Sequence, residues 1–301
     1  MTEYDLNGNN KKEEIFNLEK GFLPINIHET KLDSAKKIFT GNFSCRDLTW
    51  DVTIGAPKVS KVDGIYFAKK NGEEKVFSRM YSFWELKSFW DYISPFNFDK
   101  KELKKLEDRD TTDKSSKLIS DYYLLSHDVV KINDTYVLIG EIYVVVSQLN
   151  GGVIENGGIG NDGISHGFRY LCTINCGFDM EGNLLWDNTF KISNHLYDKI
   201  NYRVKPELQN NELVVYSIGD SAISKKKLIL NEFKEAGLPT RLDNGLKYPV
   251  QRLSIYNAEM VFWYDNYVLI WGEQFFAPDE KVFKKRIDRS IIYFTKLQYS
   301  D

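Results

Sequence analysis

The sequence lacks an excess of charge of either sign. Forty basic residues face 43 acidic ones over 301 residues, leaving a formal charge of −3 at pH 7. Nucleic-acid binding draws on a clustered basic field, so no nucleic-acid partner is expected. Long apolar runs are missing as well. The run Ile142–Val146 falls far short of the roughly 20 residues of a spanning helix, and no membrane span is expected. Cysteine is scarce: Cys45, Cys172 and Cys176 are the three. In an extended strand, Cys172 and Cys176 share one face about 13 Å apart, too far for a direct bridge. They read as small buried hydrophobes, and nothing demands an oxidising compartment. Residues 1–20 form a polar, acidic lead-in with no apolar segment, so no export signal is visible. A chain that began after a removed signal would look the same, periplasmic or secreted in that case and cytoplasmic otherwise.

Signatures of catalysis are also missing. The four histidines, His28, His127, His166 and His195, have no metal-ligand spacing, and no G-x-S-x-G elbow occurs. The segment 151–167 (GGVIENGGIGNDGISHG) spells a dinucleotide fingerprint at Gly158, Gly160 and Gly163. That motif works only where a helix follows, and Phe168–Cys172 reads as a strand. The same stretch matches one copy of a nine-residue calcium repeat, whose sites need stacked neighbours. A mobile loop is expected there. No cofactor, metal or catalytic residue is assigned.

What is abundant is aromatic. Phe, Tyr and Trp make up 14%, which favours half-buried pleated surfaces. Four segments repeat an apolar run, a glycine and a polar residue: Ile38–Asn42, Val137–Glu141, Tyr216–Asp220 and Leu269–Glu273. The glycines are 99, 79 and 53 residues apart. Strands are expected before each step (Leu124–Ile132, Tyr202–Leu208, Arg252–Tyr256) and after it (Gly64–Lys69, Tyr170–Phe178, Lys226–Phe233, Ser290–Leu297). Asn71–Gly72 and Glu181–Asn183 mark hairpins, because the primed turns need positive φ. Repeated antiparallel units of this kind specify an all-β, propeller-like radial repeat of about four units in a single domain over 21–301. An irregular β-sandwich is the alternative. The last unit ends after its third strand, and in a closed ring residues 20–30 would supply the missing one.

A helical insertion is expected at about 82–107. Ser82 and Glu85 form a capping box, Phe83, Leu86, Phe89, Trp90 and Ile93 recur at helical spacing, and Pro95 ends the helix. The stripe should pack on the outside of the β assembly. A shorter helix is expected over Asp99–Glu107, and 107–117 reads as an exposed loop.

The strings IFTGNF, DGIYFAKKNGEEKVFSRMYSFWEL, HDVVKINDTYVLIGEIY, GFDMEGNLLWDNTF and WYDNYVLIWGEQ resemble a group of uncharacterised Bacteroidota proteins with propeller-like repeats, over roughly residues 36–300. The resemblance implies that fold and often an envelope or secreted location. It carries no activity and transfers no catalytic residue.

The function expected from these features is a non-enzymatic binding or scaffold module for a protein or glycan, acting through one face of the repeat. The alternative is a propeller enzyme acting on glycans, with carboxylates from separate units meeting over a channel. Candidate ligand-binding residues are Glu141, Asp220, Glu273, Trp271 and His127, the last as a base oriented by the neighbouring Asp128. The competing structural expectation pairs Glu141 with Arg169 and Glu273 with Arg289 inside a unit, and Asp220 with one of Lys225–Lys227.

Overall fold

The computed structural model describes residues 2–4, 10–13, 18, 22–33, 36–44, 50–51, 56–57, 62–72, 74–83, 85–97, 122–149, 152–155, 165–192, 196–197, 200–218, 222–241, 253–262, 267–276 and 289–298. Strands dominate these, with one α-helix among them. At the N-terminus β1 (Thr2–Tyr4) pairs with β2 (Asn10–Glu13), so the lead-in holds a strand pair. The first sheet contains β3 (Leu23–Pro24), β4 (His28–Lys31) and β5 (Lys36–Ser44). A separate pair, β6 (Trp50–Asp51) and β7 (Ala56–Pro57), precedes its last strands, β8 (Gly64–Asn71) and β9 (Glu74–Ser82). Helix α1 (Lys87–Asn97) leads to the second sheet.

That sheet comprises β10 (Tyr123–Ser126), β11 (Val130–Ile132), β12 (Thr135–Leu149), β13 (Gly152–Glu155), β14 (Ser165–Phe178), β15 (Leu184–Lys191) and β16 (Leu196–Tyr197). The third has β17 (Val204–Gln209), β18 (Glu212–Ile218), β19 (Ala222–Ile229), β20 (Glu232–Glu235) and β21 (Thr240–Arg241). The fourth has β22 (Leu253–Phe262), β23 (Tyr267–Phe276) and β24 (Arg289–Gln298). All pairings are antiparallel, and the main paths are β3-β5-β8-β9, β10-β12-β14-β15, β17-β18-β19-β20 and β22-β23-β24. The four sequence repeats therefore occupy one equivalent place: each lies in or directly after the second strand of its sheet. Among the described residues no sheet closes on itself.

The second sheet is covered on both faces, as apolar residues of both parities in Tyr136–Ile139 require. One face, with Tyr136, Leu138, Ile142, Cys172, Ile174 and Cys176, packs on Ile38, Ile65 and Phe67 of the first sheet. The other, with Val137, Ile139, Tyr143 and Tyr170, packs on Val204, Leu213, Val215 and Phe233 of the third. Cys172 and Cys176 share a face, as their spacing demands, and burial pushes both thiols well up.

Several expectations change. Residues 23–31 pair with β5 of their own sheet and so complete the first unit, not the last. The helix starts at Lys87 and runs past Pro95. Glu85 does reach back to Ser82, accepting from its backbone N–H at 2.7 Å and its hydroxyl at 2.6 Å. The helix N-terminus is capped from elsewhere: the Asp187 carboxylate of β15 accepts from Ser88 N–H at 2.6 Å, and the Asp187 carbonyl from the Ser88 hydroxyl. Phe83, Leu86, Phe89 and Ile93 are buried in the core between the first two sheets, with Trp90 half-buried. The expected loop 151–167 supplies β13, which pairs with β12, and the start of β14. Asp99–Glu107, residues 107–117 and residues 156–164 lie outside the described residues.

The connections separate by end. Tight turns join first to second and third to fourth strands, at Asn71–Gly72, Asn133–Asp134, Asp179–Asn183, Asn210–Asn211 and Leu230–Asn231. Two of these turns meet across the second and third sheets, where Asn211 Nδ2 donates to Asn133 Oδ1 at 2.9 Å, and the Asp179–Asn183 turn lies against β9, where Tyr81 Oη donates to the Gly182 carbonyl at 2.7 Å. At the opposite end β5, β9, β12, β15, β18 and β23 finish and the next strand of a main path begins, separated in sequence by many residues in every case but β18 to β19.

Candidate functional site

The Gly-polar step sits where β5 and β12 pass a neighbouring segment closely. A Cβ on Gly41 would lie 2.1 Å from the Asn26 carbonyl oxygen, and one on Gly140 would lie 2.5 Å from Leu124 Cδ1. Strand alternation turns the next residue to the other face, towards the following sheet. Asn42 accordingly reaches the second sheet. Its Nδ2 donates to the Leu124 carbonyl at 2.8 Å, and its Oδ1 accepts from the Ser126 hydroxyl at 2.5 Å. Glu141 likewise reaches the third sheet. Its Oε2 accepts from Arg203 N–H at 2.8 Å and its Oε1 from Val204 N–H at 3.1 Å. In both described cases the step residue binds the strand that opens the next sheet.

Glu141 has one more partner, His127, whose Nε2 lies 2.8 Å from Oε1. The carboxylate is fully buried and already accepts two backbone hydrogens, so the imidazole supplies the third from Nε2. His127 N–H donates to the Ile139 carbonyl at 2.9 Å, which fixes the residue beside β12. The Tyr202 ring lies 4.3 Å from the imidazole, centroid to centroid, and its hydroxyl donates to the Ser126 carbonyl at 2.9 Å. Burial pushes the Tyr202 phenol up, and the charges of Glu141 and Asp128 push it further.

Asp128 holds a different histidine. Its Oδ1 lies 3.0 Å from His28 Nδ1, linking the first sheet to the second, with the Asp128 side chain 89% exposed and that of His28 19%. The Arg203 guanidinium is fully buried, 3.5 Å above the Tyr197 ring and 5.6 Å from that of Tyr170.

The expected Glu141–Arg169 pairing does not describe this carboxylate. Cys172 faces Ile142 while Tyr170 faces Tyr143, so Leu171 is an extra residue in the ladder. This bulge sets Arg169 opposite Val144, on the face turned to the first sheet, whereas Glu141 faces the third. The register sets Glu273 opposite Ile292 and Arg289 opposite Phe276; the side chains of both lie outside the described residues, as does Asp220. Trp271 is half-buried in β23, opposite Phe294.

His127 and Glu141 are thus brought together, at a junction that also includes Asn26, His28, Asn42, Asp128, Tyr202 and Arg203. Sequence reading named the base but chose the adjacent Asp128 as its carboxylate. Tyr202 and Arg203 carried no local signal, since only the packing of the third sheet places them there. Among the described residues no cluster of three or more ligating side chains could hold a metal ion.

These features define an antiparallel β repeat whose consecutive sheets are joined by buried polar links. No family model matches the chain, and no curated protein is significantly similar to it. Among solved structures it is similar to a Bacteroides ovatus protein described as a "putative hydrolase", with a TM-score of 0.34 and 10% identity over 82% of this chain and 62% of that one. A likeness at that distance carries no argument about fold or activity.

Proposed function

We propose that the chain is a non-enzymatic binding or scaffold module. In this reading it is a propeller-like radial repeat of four units, and the end that collects the long connections is the face that meets a protein or glycan partner. The separation of strand ends carries the proposal: the described tight turns lie at one end, while at the other most successive strands are far apart in sequence, and long connections on a rigid scaffold are the usual place for binding residues. The state of Glu141 supports it. A carboxylate saturated by two backbone N–H groups and an imidazole is committed to joining sheets, which disfavours a glycosidase acid or nucleophile at that position. An envelope or secreted location belongs to the same proposal and rests on the resemblance in sequence.

A thermal-shift screen of glycans, peptidoglycan fragments and divalent metals, with a pull-down from the native envelope, tests the reading. A ligand that raises Tm, and whose hydrogen-exchange footprint falls on the long connections, is the expected result. Steady turnover of a glycan, abolished by Glu141→Gln at unchanged Tm, would overturn it.

A further inference from the structure

Asn175 of β14 is fully buried, and its Oδ1 accepts no hydrogen bond. The amide cannot be reversed to cure this. Its Nδ2 donates to Thr173 Oγ1 at 2.8 Å and to the Asn188 carbonyl at 3.0 Å, and a carbonyl demands the nitrogen there. The two ends of an amide diverge. With Nδ2 held on Thr173, two residues back, Oδ1 is turned towards Gly177, two residues on and on the same face of the strand. Gly177 has no side chain to meet it. In that place lies the half-buried indole of Trp186, the residue opposite Gly177 in β15, with Nε1 2.3 Å from where a Cβ would stand. The indole N–H makes no hydrogen bond among the described residues. A buried acceptor and an indole donor thus face the same stretch of β14, and interior groups of both kinds ordinarily have partners.

We propose that an internal water is bound here, donating to Asn175 Oδ1 and accepting from Trp186 Nε1. The pair requires a ligand that donates at one end and accepts at the other. An anion cannot donate to Oδ1, and an ammonium cannot accept from the indole, so neither ion fits. The spacing suits one molecule. Same-face positions two residues apart along a strand are about 6.8 Å apart, and the reach of the amide shortens this to roughly 4.5 Å, the span of a water between two partners. Water-bridged contacts of this kind replace direct ones where buried polar groups stand too far apart to bond. The water ties Trp186 to β14 on the face that packs on the third sheet, so the indole is held there at its nitrogen as well as by its rings. This site is independent of whatever the long connections recognise.

The test is water-selective NOE and ROE spectroscopy on the isotope-labelled full chain, with the Trp186 indole N–H assigned by its loss in Trp186→Phe. A water held inside the protein gives cross-peaks of the sign seen within a rigid molecule; surface hydration and chemical exchange do not. Such a peak is expected at the Trp186 indole N–H, together with solvent exchange of that proton about tenfold or more slower than at an exposed indole. Asn175→Leu removes the acceptor and should abolish the peak. Should that variant fail to fold, the wild-type spectrum decides by itself. A wild-type indole N–H without the peak, or a peak that persists in Asn175→Leu, would overturn the proposal. So would a crystal structure in which Trp186 Nε1 donates directly to Asn175 Oδ1.

Discussion

Gly41 and Gly140 occupy the same position in the repeat but meet different obstacles. The added methyl of Gly41→Ala runs into the backbone oxygen of Asn26, which cannot yield without moving the segment between β3 and β4. That of Gly140→Ala meets a leucine methyl, which can rotate away. Chemical denaturation should therefore show Gly41→Ala losing about 3 kcal/mol or more and Gly140→Ala nearer 1 kcal/mol. Leu230 is unusual in the other direction. It has φ of +50° at the first central position of a two-residue hairpin turn, followed by Asn231 at +67°, and is 89% exposed. A leucine there carries the left-handed strain without any burial to offset it. Leu230→Asn should raise stability by about 0.5–1 kcal/mol, measured as a shift of the denaturation midpoint at constant slope.

Helix α1 depends on a strand that follows it by some ninety residues in sequence. Asp187 supplies the carboxylate that a local cap would ordinarily provide, and a negative charge suits a helix N-terminus. Asp187→Ala should cost about 1–2 kcal/mol, with the exchange of amides in the first helical turn accelerating before that of the sheets. The β14–β15 hairpin has its own titratable anchor. Slight burial opposes the charge on Asp179, but hydrogen bonds from the Asn183 side chain, Asn183 N–H and Glu181 N–H, with Arg79 nearby, hold the carboxyl below its ordinary value. A lowered folded pKa means stability that is present above the unfolded value and is lost as pH falls through the folded one. The contribution of Asp179 should therefore vanish only below about pH 4, read as a shrinking difference between the wild type and Asp179→Ala in melts from pH 6 to pH 2.

On the scale of the molecule, the first three sheets are joined in succession by polar links set in apolar cores. Glu141 is the most demanding of these, since it is fully buried with three donors on it. Replacing it by Leu leaves the Arg203 and Val204 N–H groups and His127 without an acceptor. Breaking such a buried set from one side costs about 3–5 kcal/mol, so Glu141→Leu should lower stability by that order in denaturant unfolding. The damage should be local to the second and third sheets, with their facing strands losing hydrogen-exchange protection before the first sheet does.

The β class, the repeated segments, the hairpins at Asn71–Gly72 and Glu181–Asn183 and the buried helix stripe were determined by the sequence alone, because each depends on periodicity or turn chemistry within a few residues; the Leu230–Asn231 hairpin was not, and the expected strand Lys226–Phe233 divides there into β19 and β20. Tyr136–Ile139, apolar at both parities, needed both faces covered, and they are. The partners of Glu141 were not legible, for two reasons. The bulge at Leu171 reverses which face Arg169 occupies, and a single extra residue leaves no mark in hydrophobic alternation. The true donors, Arg203 N–H and Val204 N–H, belong to backbone that has no residue-type signature and comes from another sheet. Pro95 misled for a related reason: a proline near the end of a helix removes one hydrogen bond, and tertiary packing of the buried stripe outweighs that loss. Local pattern thus determined which elements form. Only the tertiary structure decided what Glu141, His127 and Tyr202 touch, because those contacts join strands of separate sheets, through groups that alternation and spacing do not encode.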